Sequence, residues 1–342
     1  MWQARTVESE MKQEYTLRTN LESAFRSYAA STRSHVELEL SNFVSRLSNL
    51  NLHPQIEYAT LSQGKRLRPL LTILSAESVG GNRDRVMSLA LAFEFMHTAT
   101  LIHDDIIDQD EMRRGRPAVC RKWSVNEAIL TGDACIAIAV DLASEYGESV
   151  MKIIAQSALE LCDGEQIDVT SALRTSTEEL YFKRIRDKSA SLFRAAAHCG
   201  ALAGGGTALE AHSLSTFAED LGIAYQLKDD LLDLTTEGNG CLKDLRQGRI
   251  TLPLINTYLT SSPGEREKIE TKLEDLMNQN WPFLQHCDTL EDLLRIIRQK
   301  GSFDYCQERI DQYLRRAVDS ISMLEDTEYK AYLVCVANEL KT

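Results

Sequence analysis

Six carboxylates stand in two matching groups, LIHDDIID at residues 101–108 and QLKDDLLD at residues 226–233. On a helix, residues four apart lie one above the other. Asp104 and Asp108 therefore share a face with Asp105 to one side, and Asp229, Asp233 and Asp230 repeat the arrangement. Like charges at that spacing repel, so the helix gains nothing from them unless a hard cation compensates. Mg²⁺ prefers oxygen ligands and is commonly held by one or two carboxylates together with substrate phosphates and water. A solvated acidic helix face would account for one such group, but it accounts poorly for two. Leu101, Ile102, Ile106 and Ile107 flank the first, and Leu227, Leu231 and Leu232 flank the second. The two segments also align with each other, which predicts two helices presenting carboxylates from opposite walls of a cavity.

Basic residues complement these groups. Lys65 and Arg68 in SQGKRLRP are three apart, predicting one face of a helix that begins there, and Arg113 and Arg114 follow the first acidic group. A planar guanidinium fork with a mobile ammonium suits phosphate recognition, although RRGRP alone also reads as a charged turn. His97 lies seven residues before Asp104, two helical turns away on roughly the same face. There it reaches a diphosphate near the cleft, the plainer alternative being a core histidine. Carboxylates for metals, cations for phosphate and apolar helices around both point to two diphosphate esters with oily tails.

The elements that position these residues are helical. Periodicity with apolar stripes runs through 86–108, 127–145, 149–172, 177–203, 208–234 and 250–260, and again through the last eighty residues. The first fifty residues read as peripheral amphipathic helix. No stretch alternates with period two, and six prolines and seventeen glycines in 342 residues are too few for a turn-rich β fold. The expectation is an all-α chain, a single helical bundle over 1–342 around a central cavity. A net charge of −13 argues against a nucleic-acid partner. The eight cysteines are scattered singly, with no CxxC pair, and read as free thiols of a cytoplasmic protein. The N-terminus has no signal-peptide pattern, and the apolar run ACIAIAV at 134–140 is too short to span a bilayer.

Taken in order, GKRLRP, EFMHTATLIHDDIID, MRRG, DGEQID, KSASLF, QLKDDLLD and KDLRQGRITLPLI resemble the trans-type polyprenyl diphosphate synthases over about residues 40–320. The resemblance implies a Mg²⁺-dependent prenyltransferase. An allylic diphosphate ionises, the alkene of isopentenyl diphosphate attacks, and the departing pyrophosphate takes the proton. It assigns catalysis to Asp104, Asp105, Asp108, Asp229, Asp230, Asp233 and Lys188, with Asp104, Asp108 and Asp229 as metal ligands. Isopentenyl diphosphate would be held by Lys65, Arg68, His97 and Arg114. The allylic substrate would be held by Arg113, Lys188 and Gln226, with Ser189 where the family usually has Thr.

Two positions depart from the family pattern after the second acidic group. GNGCLKDLRQGR puts Asn239 and Arg249 where lysines are usual, and Lys243 is a candidate substitute. Thr100, Ala99 and Met96 precede Asp104 by four, five and eight residues. The absence of an aromatic ring at the first two predicts a linear product longer than fifteen carbons, C20 or C30 and above. A homodimer is implied, with peripheral membrane contact for release of long products. The alternatives are a class I terpene cyclase and a noncatalytic subunit of a heteromeric synthase. The second complete aspartate group and the GKxxR clamp argue against both.

Overall fold

A computed structural model describes residues 2–235, 242–277 and 288–341, with side chains from residue 19 onward except 243 and 246. Its helices are α1 (Trp2–Arg46), α2 (His53–Thr60), α3 (Leu67–Ser78), α4 (Met87–Ile107), α5 (Val119–Lys122), α6 (Val125–Ser144), α7 (Glu148–Thr170) and α8 (Glu178–Ile185), followed by α9 (Ser191–Ala203), α10 (Ala208–Thr235), α11 (Lys243–Arg246), α12 (Leu252–Leu259), α13 (Pro263–Met277), α14 (Asp288–Gln299), α15 (Ser302–Ser320) and α16 (Glu328–Glu339). The chain is all-α, as its periodicity predicts. It divides into two compact units, each discontinuous in sequence. One comprises Met1–Lys152, Ala196–Leu214 and Ile321–Glu339; the other comprises Ile153–Ala195, Ser215–Ser320 and Leu340–Thr342.

In the first unit α4 is the core helix. Leu89, Ala90, Phe93, Phe95 and Ala99 are inaccessible or nearly so, and α3, α6 and α1 pack around it. A helix apolar on all sides belongs in a protein interior. With the preceding 3₁₀ turn it spans Arg83–Ile107, and it is the one helix among the described residues long and apolar enough to cross a bilayer; 72% of its apolar window is buried within the protein. Helix α6 starts with Ser124 as its N-cap. The Ser124 hydroxyl accepts from Glu127 N–H at 3.1 Å and donates to Glu127 Oε2 at 2.8 Å. In the same unit Gly200 lies against α3 so closely that a Cβ there would sit 2.2 Å from Thr72 O.

One small exception to the helical expectation carries consequences. Strands β1 (Met112–Arg113) and β2 (Arg116–Pro117) form an antiparallel hairpin pairing Arg113 with Arg116. The two residues between them, Arg114 and Gly115, have φ of 52° and 75°. Left-handed conformations at both central residues make the type I′ turn that matches the twist of a two-residue hairpin. RRGRP is too short for periodicity to register as strand, and its composition indicates a basic cluster or a charged turn and not a hairpin.

In the second unit Phe217, Leu221, Leu252, Leu254, Leu293 and Leu314 are inaccessible or nearly so, and α12 packs against α8, α14 and α15. The segment 177–203, which the periodicity predicts as one helix, is divided. Helix α8 begins with Thr177 accepting from Leu180 N–H at 3.1 Å, then widens into a π-helical turn at Arg186–Ala190 before α9. Two glycines admit that turn. A Cβ on Gly164 of α7 would lie 2.3 Å from Lys188 N, and one on Gly222 of α10 would lie 2.8 Å from Ala190 Cα.

Candidate active site

The first acidic group occupies the end of α4. Asp108 caps the helix, its N–H donating to Asp104 O at 2.8 Å, and both side chains are partly exposed. The carbonyl end of a helix carries partial negative charge, which adds to these carboxylates and favours a cation. Asp105 differs from its neighbours. It is 3% exposed and accepts from Arg113 Nε at 2.7 Å, while Arg113 Nη2 reaches Asp110 Oδ2 at 3.0 Å. The middle aspartate thus orients a hairpin arginine.

The basic residues of this unit converge on α4. Arg114, at the hairpin tip, donates to Ser62 Oγ at 2.8 Å, and Arg116 donates to Tyr58 O at 2.6 Å. These bonds dock the hairpin on α2 and the loop after it. Desolvation, followed by the positive charges of Arg68, Arg114, Arg113 and Arg66, holds the His97 imidazole well below its ordinary value. Arg114 is also lowered, because burial together with Arg66, Arg113 and Arg116 outweighs the attraction of Glu94. Arg113 differs from these two: burial lowers it, but its bond to Asp105 and the charges of Asp105, Asp110 and Asp104 outweigh burial and raise it. The expectation that Lys65 and Arg68 share a helix face is corrected, because α3 starts at Leu67 and leaves exposed Lys65 in the preceding loop. The backbone turns there through a left-handed Arg66, a constraint the spacing did not reveal.

In the second unit, Asp229, Asp230 and Asp233 lie near the end of α10. Asp230 is 3% exposed. It accepts from the Tyr181 hydroxyl at 2.7 Å and from Gln226 Nε2 at 2.7 Å, while Gln226 Oε1 accepts from Ser189 at 2.7 Å. Burial, then the charge of Asp244, pushes the Asp230 carboxyl up against the opposing pull of Arg184. Asp233 Oδ2 accepts from Asp244 N–H at 3.0 Å and so anchors the chain that follows α10.

The π turn presents Lys188, whose ammonium lies 2.6 Å from Glu165 and 2.7 Å from Asp168. Asp168 also meets Arg184 at 2.8 Å and Arg249 at 3.4 Å. Burial raises its carboxyl, but Arg184, Lys188 and Arg249 prevail and hold it below the usual carboxylate value. Arg249, which departs from the usual lysine, also reaches Asp244 at 3.4 Å. Asn239 and the side chain of Lys243 lie outside the described residues.

Met96 and Ala99 are 6% and 1% exposed, on the same side of α4. Thr100 is partly exposed and donates to His97 O at 2.8 Å. Spacing assigns no role to Arg66, Glu94, Tyr181, Arg184, Glu165 or Asp168. Of these only Glu94 carries a sequence signal, a single charge within the apolar run ALAFEFM.

Among the described residues no group of three or more His, Cys, Asp or Glu side chains is gathered to hold a metal by itself. The donors present are nevertheless hard carboxylate oxygens, with Asp104 and Asp108 one helical turn apart. Such a set suits a cation that completes its coordination with phosphate and water.

The polyprenyl synthetase family matches residues 50–295. The geranylgeranyl diphosphate synthase of Methanosarcina mazei is 33% identical over 316 residues, 89% of this chain and 94% of that protein. The octaprenyl diphosphate synthase of Escherichia coli is 30% identical over 298 residues, 85% of this chain and 90% of that one. A crystal structure of a polyprenyl synthase from Caulobacter crescentus, complexed with calcium and isoprenyl diphosphate, superposes with a TM-score of 0.83 at 27% identity, covering 94% of this chain and 98% of the other.

Proposed function

This chain belongs to the polyprenyl synthetase family, and we propose that its two acidic groups and its basic cluster together elongate an allylic diphosphate with isopentenyl diphosphate. It is a prenyltransferase, and its product is a linear trans-polyprenyl diphosphate. The relatives' names, geranylgeranyl and octaprenyl diphosphate synthase, support chains longer than fifteen carbons and do not favour the cyclase or noncatalytic-subunit readings. The observation that carries the site assignment is the hairpin that fixes Arg113 on Asp105 and Arg114 on Ser62, beside the end of the helix that bears His97, Asp104 and Asp108.

In this reading Lys65, Arg68, His97 and Arg114 bind isopentenyl diphosphate, with neutral His97 donating a ring N–H to a phosphate oxygen. Arg113, fixed by Asp105 and Asp110, holds the allylic diphosphate. For Lys188, Gln226 and Ser189 an allylic-substrate role is supported by the family resemblance. Gln226 is oriented for this by Ser189 and Asp230, and Asp230 by Tyr181. Divalent cations on Asp104, Asp108 and Asp229 would neutralise charge accumulating on the leaving diphosphate as Lewis acids. The calcium in the C. crescentus relative supports a divalent ion, and Mg²⁺ is the one we propose.

Homodimerisation is supported by an exposed apolar stripe on α6, where Val125, Ile129, Ile136 and Val140 are 36–50% exposed on one face. Thiols rather than disulfides at Cys135, Cys199 and Cys306 support a cytoplasmic location. Long products would need peripheral membrane contact for release.

The test is elongation itself. The purified protein is incubated with Mg²⁺, isopentenyl diphosphate and dimethylallyl, geranyl or farnesyl diphosphate, and the products are resolved by length. Linear diphosphates longer than the primer are expected, and they should vanish on chelation. Cyclic hydrocarbons, or elongation that survives chelation, overturn the reading.

A further inference from the structure

Arg66 and Glu94 have no role in the assignments above, yet they are only 4% and 2% exposed and meet at 2.5 Å. The remaining donors of Arg66 are also committed. Nη2 donates to Thr60 O at 3.0 Å and Ser62 O at 2.7 Å, and Nε faces Glu37 at 3.4 Å. Its backbone is left-handed, φ 50° and ψ 41°, at the N-cap of α3. An arginine seldom adopts that conformation unless its surroundings impose it. One side chain therefore joins the end of α2, the loop after it, the start of α3 and the middle of α4.

The residues next to this junction are the ones that carry the phosphate chemistry. Lys65 precedes Arg66, and Arg68 follows two residues later. Glu94 lies three residues before His97 on α4, hence on a neighbouring part of the same face, and it attracts Arg114. Withdrawing both charges from water commonly costs as much as their attraction returns, so a buried pair is weak evidence of stabilisation. A role in fixing geometry explains its presence better. Arg66 prevents the Lys65–Arg68 loop from shifting along α4. The Glu94 carboxylate also offsets repulsion among the guanidinium groups gathered beside it.

We propose that the Arg66–Glu94 pair is the positioning element of the isopentenyl diphosphate site, holding the Lys65–Arg68 loop in register with His97 and Arg114. The inference rests on the reading that those four residues bind that substrate. Neither member of the pair touches it. Loosening the pair weakens capture of isopentenyl diphosphate and leaves ionisation of the allylic substrate largely intact.

Steady-state kinetics on the full chain test this with Glu94→Gln and with the double variant Arg66→Met plus Glu94→Met. The double variant leaves no orphaned charge and so is the better folded of the two. Both should raise the KM for isopentenyl diphosphate by about tenfold or more, with the allylic KM within about twofold and kcat within about threefold. Arg66→Lys retains a charge opposite Glu94 without the fork and should fall between these variants and the parent. Arg68→Ala serves as the reference for the site itself. An unchanged isopentenyl KM in Arg68→Ala overturns the site assignment and this inference with it. A raised KM there with an unchanged one in the double variant overturns the inference alone. A loss confined to kcat, or failure of the double variant to fold, also overturns it, because the pair would then serve the scaffold rather than the site.

Discussion

Arg113 donates to Asp105 across 2.7 Å, so the middle aspartate of the first group serves a guanidinium and not solvent. The second group follows the same logic with a different partner, Tyr181 donating to Asp230. In both, the buried middle carboxylate orients its surroundings, and the partly exposed Asp104 and Asp108 are the better candidates for metal. Asp104→Asn should therefore lower kcat by about 10³-fold, the scale of losing direct charge stabilisation in the ionisation step. Asp105→Asn should cost nearer tenfold, chiefly in the allylic KM. Initial rates at varied allylic diphosphate separate the two; equal losses in kcat would contradict the division of labour.

The lowered pKa of His97 sets a pH dependence. Folding favours its neutral form, so the group carries no penalty above about pH 6.5, the ordinary histidine value. As pH falls below that, the unfolded chain takes up a proton that the folded chain refuses, and stability declines. His97→Gln should flatten this part of the profile. Thermal midpoints of the two proteins between pH 7.5 and 5, with the difference growing toward acid, are the measurement. A constant difference contradicts it.

Ala99 is 1% exposed one helical turn before His103. If the growing chain passes beneath the first acidic group, Ala99→Phe should block it and shorten the principal product by one or more five-carbon units. The ring would also overpack the core, costing about 1–3 kcal/mol, which the thermal midpoint reports separately. Chromatography of the dephosphorylated products decides, and an unchanged length distribution sinks the proposed floor.

Gly164 leaves no room for a methyl group against Lys188 N. Gly164→Ala must push α7 away from the π turn, with a loss of about 1–3 kcal/mol by overpacking. Because the displaced backbone carries Lys188, the allylic KM should rise as well. Calorimetry with steady-state kinetics reads both effects, and an alanine variant with parental stability and KM would show the contact to be slack.

The α6 stripe yields a prediction about assembly. The double variant Ile129→Asp plus Ile136→Asp places two charges where a second copy would bury apolar surface, and it should shift the protein toward monomer. Sedimentation equilibrium measures this. A parental protein that is already monomeric, or a variant that still dimerises, removes this face from the interface.

Most of the fold was legible in the sequence, because helical periodicity is local and glycine and proline are sparse enough to leave long stretches uninterrupted. The paired DDxxD spacing and His97 two turns upstream were legible for the same reason, whereas the GKxxR spacing misled, because Lys65 stands in the loop before α3. Regular helix geometry converts spacing directly into a shared face. What spacing could not supply is which side chains end up paired. Asp105 and Asp230 look like equal members of their groups until burial matches one with Arg113 and the other with Tyr181. Arg66 looks like another phosphate-binding cation until a left-handed backbone turns it inward onto Glu94. The π turn that presents Lys188 is invisible to a 3.6-residue period, because it exists only through the close approach of Gly164 and Gly222. Local sequence determined which groups were available; burial and long-range contacts decided which stay partly exposed and which only hold others in place.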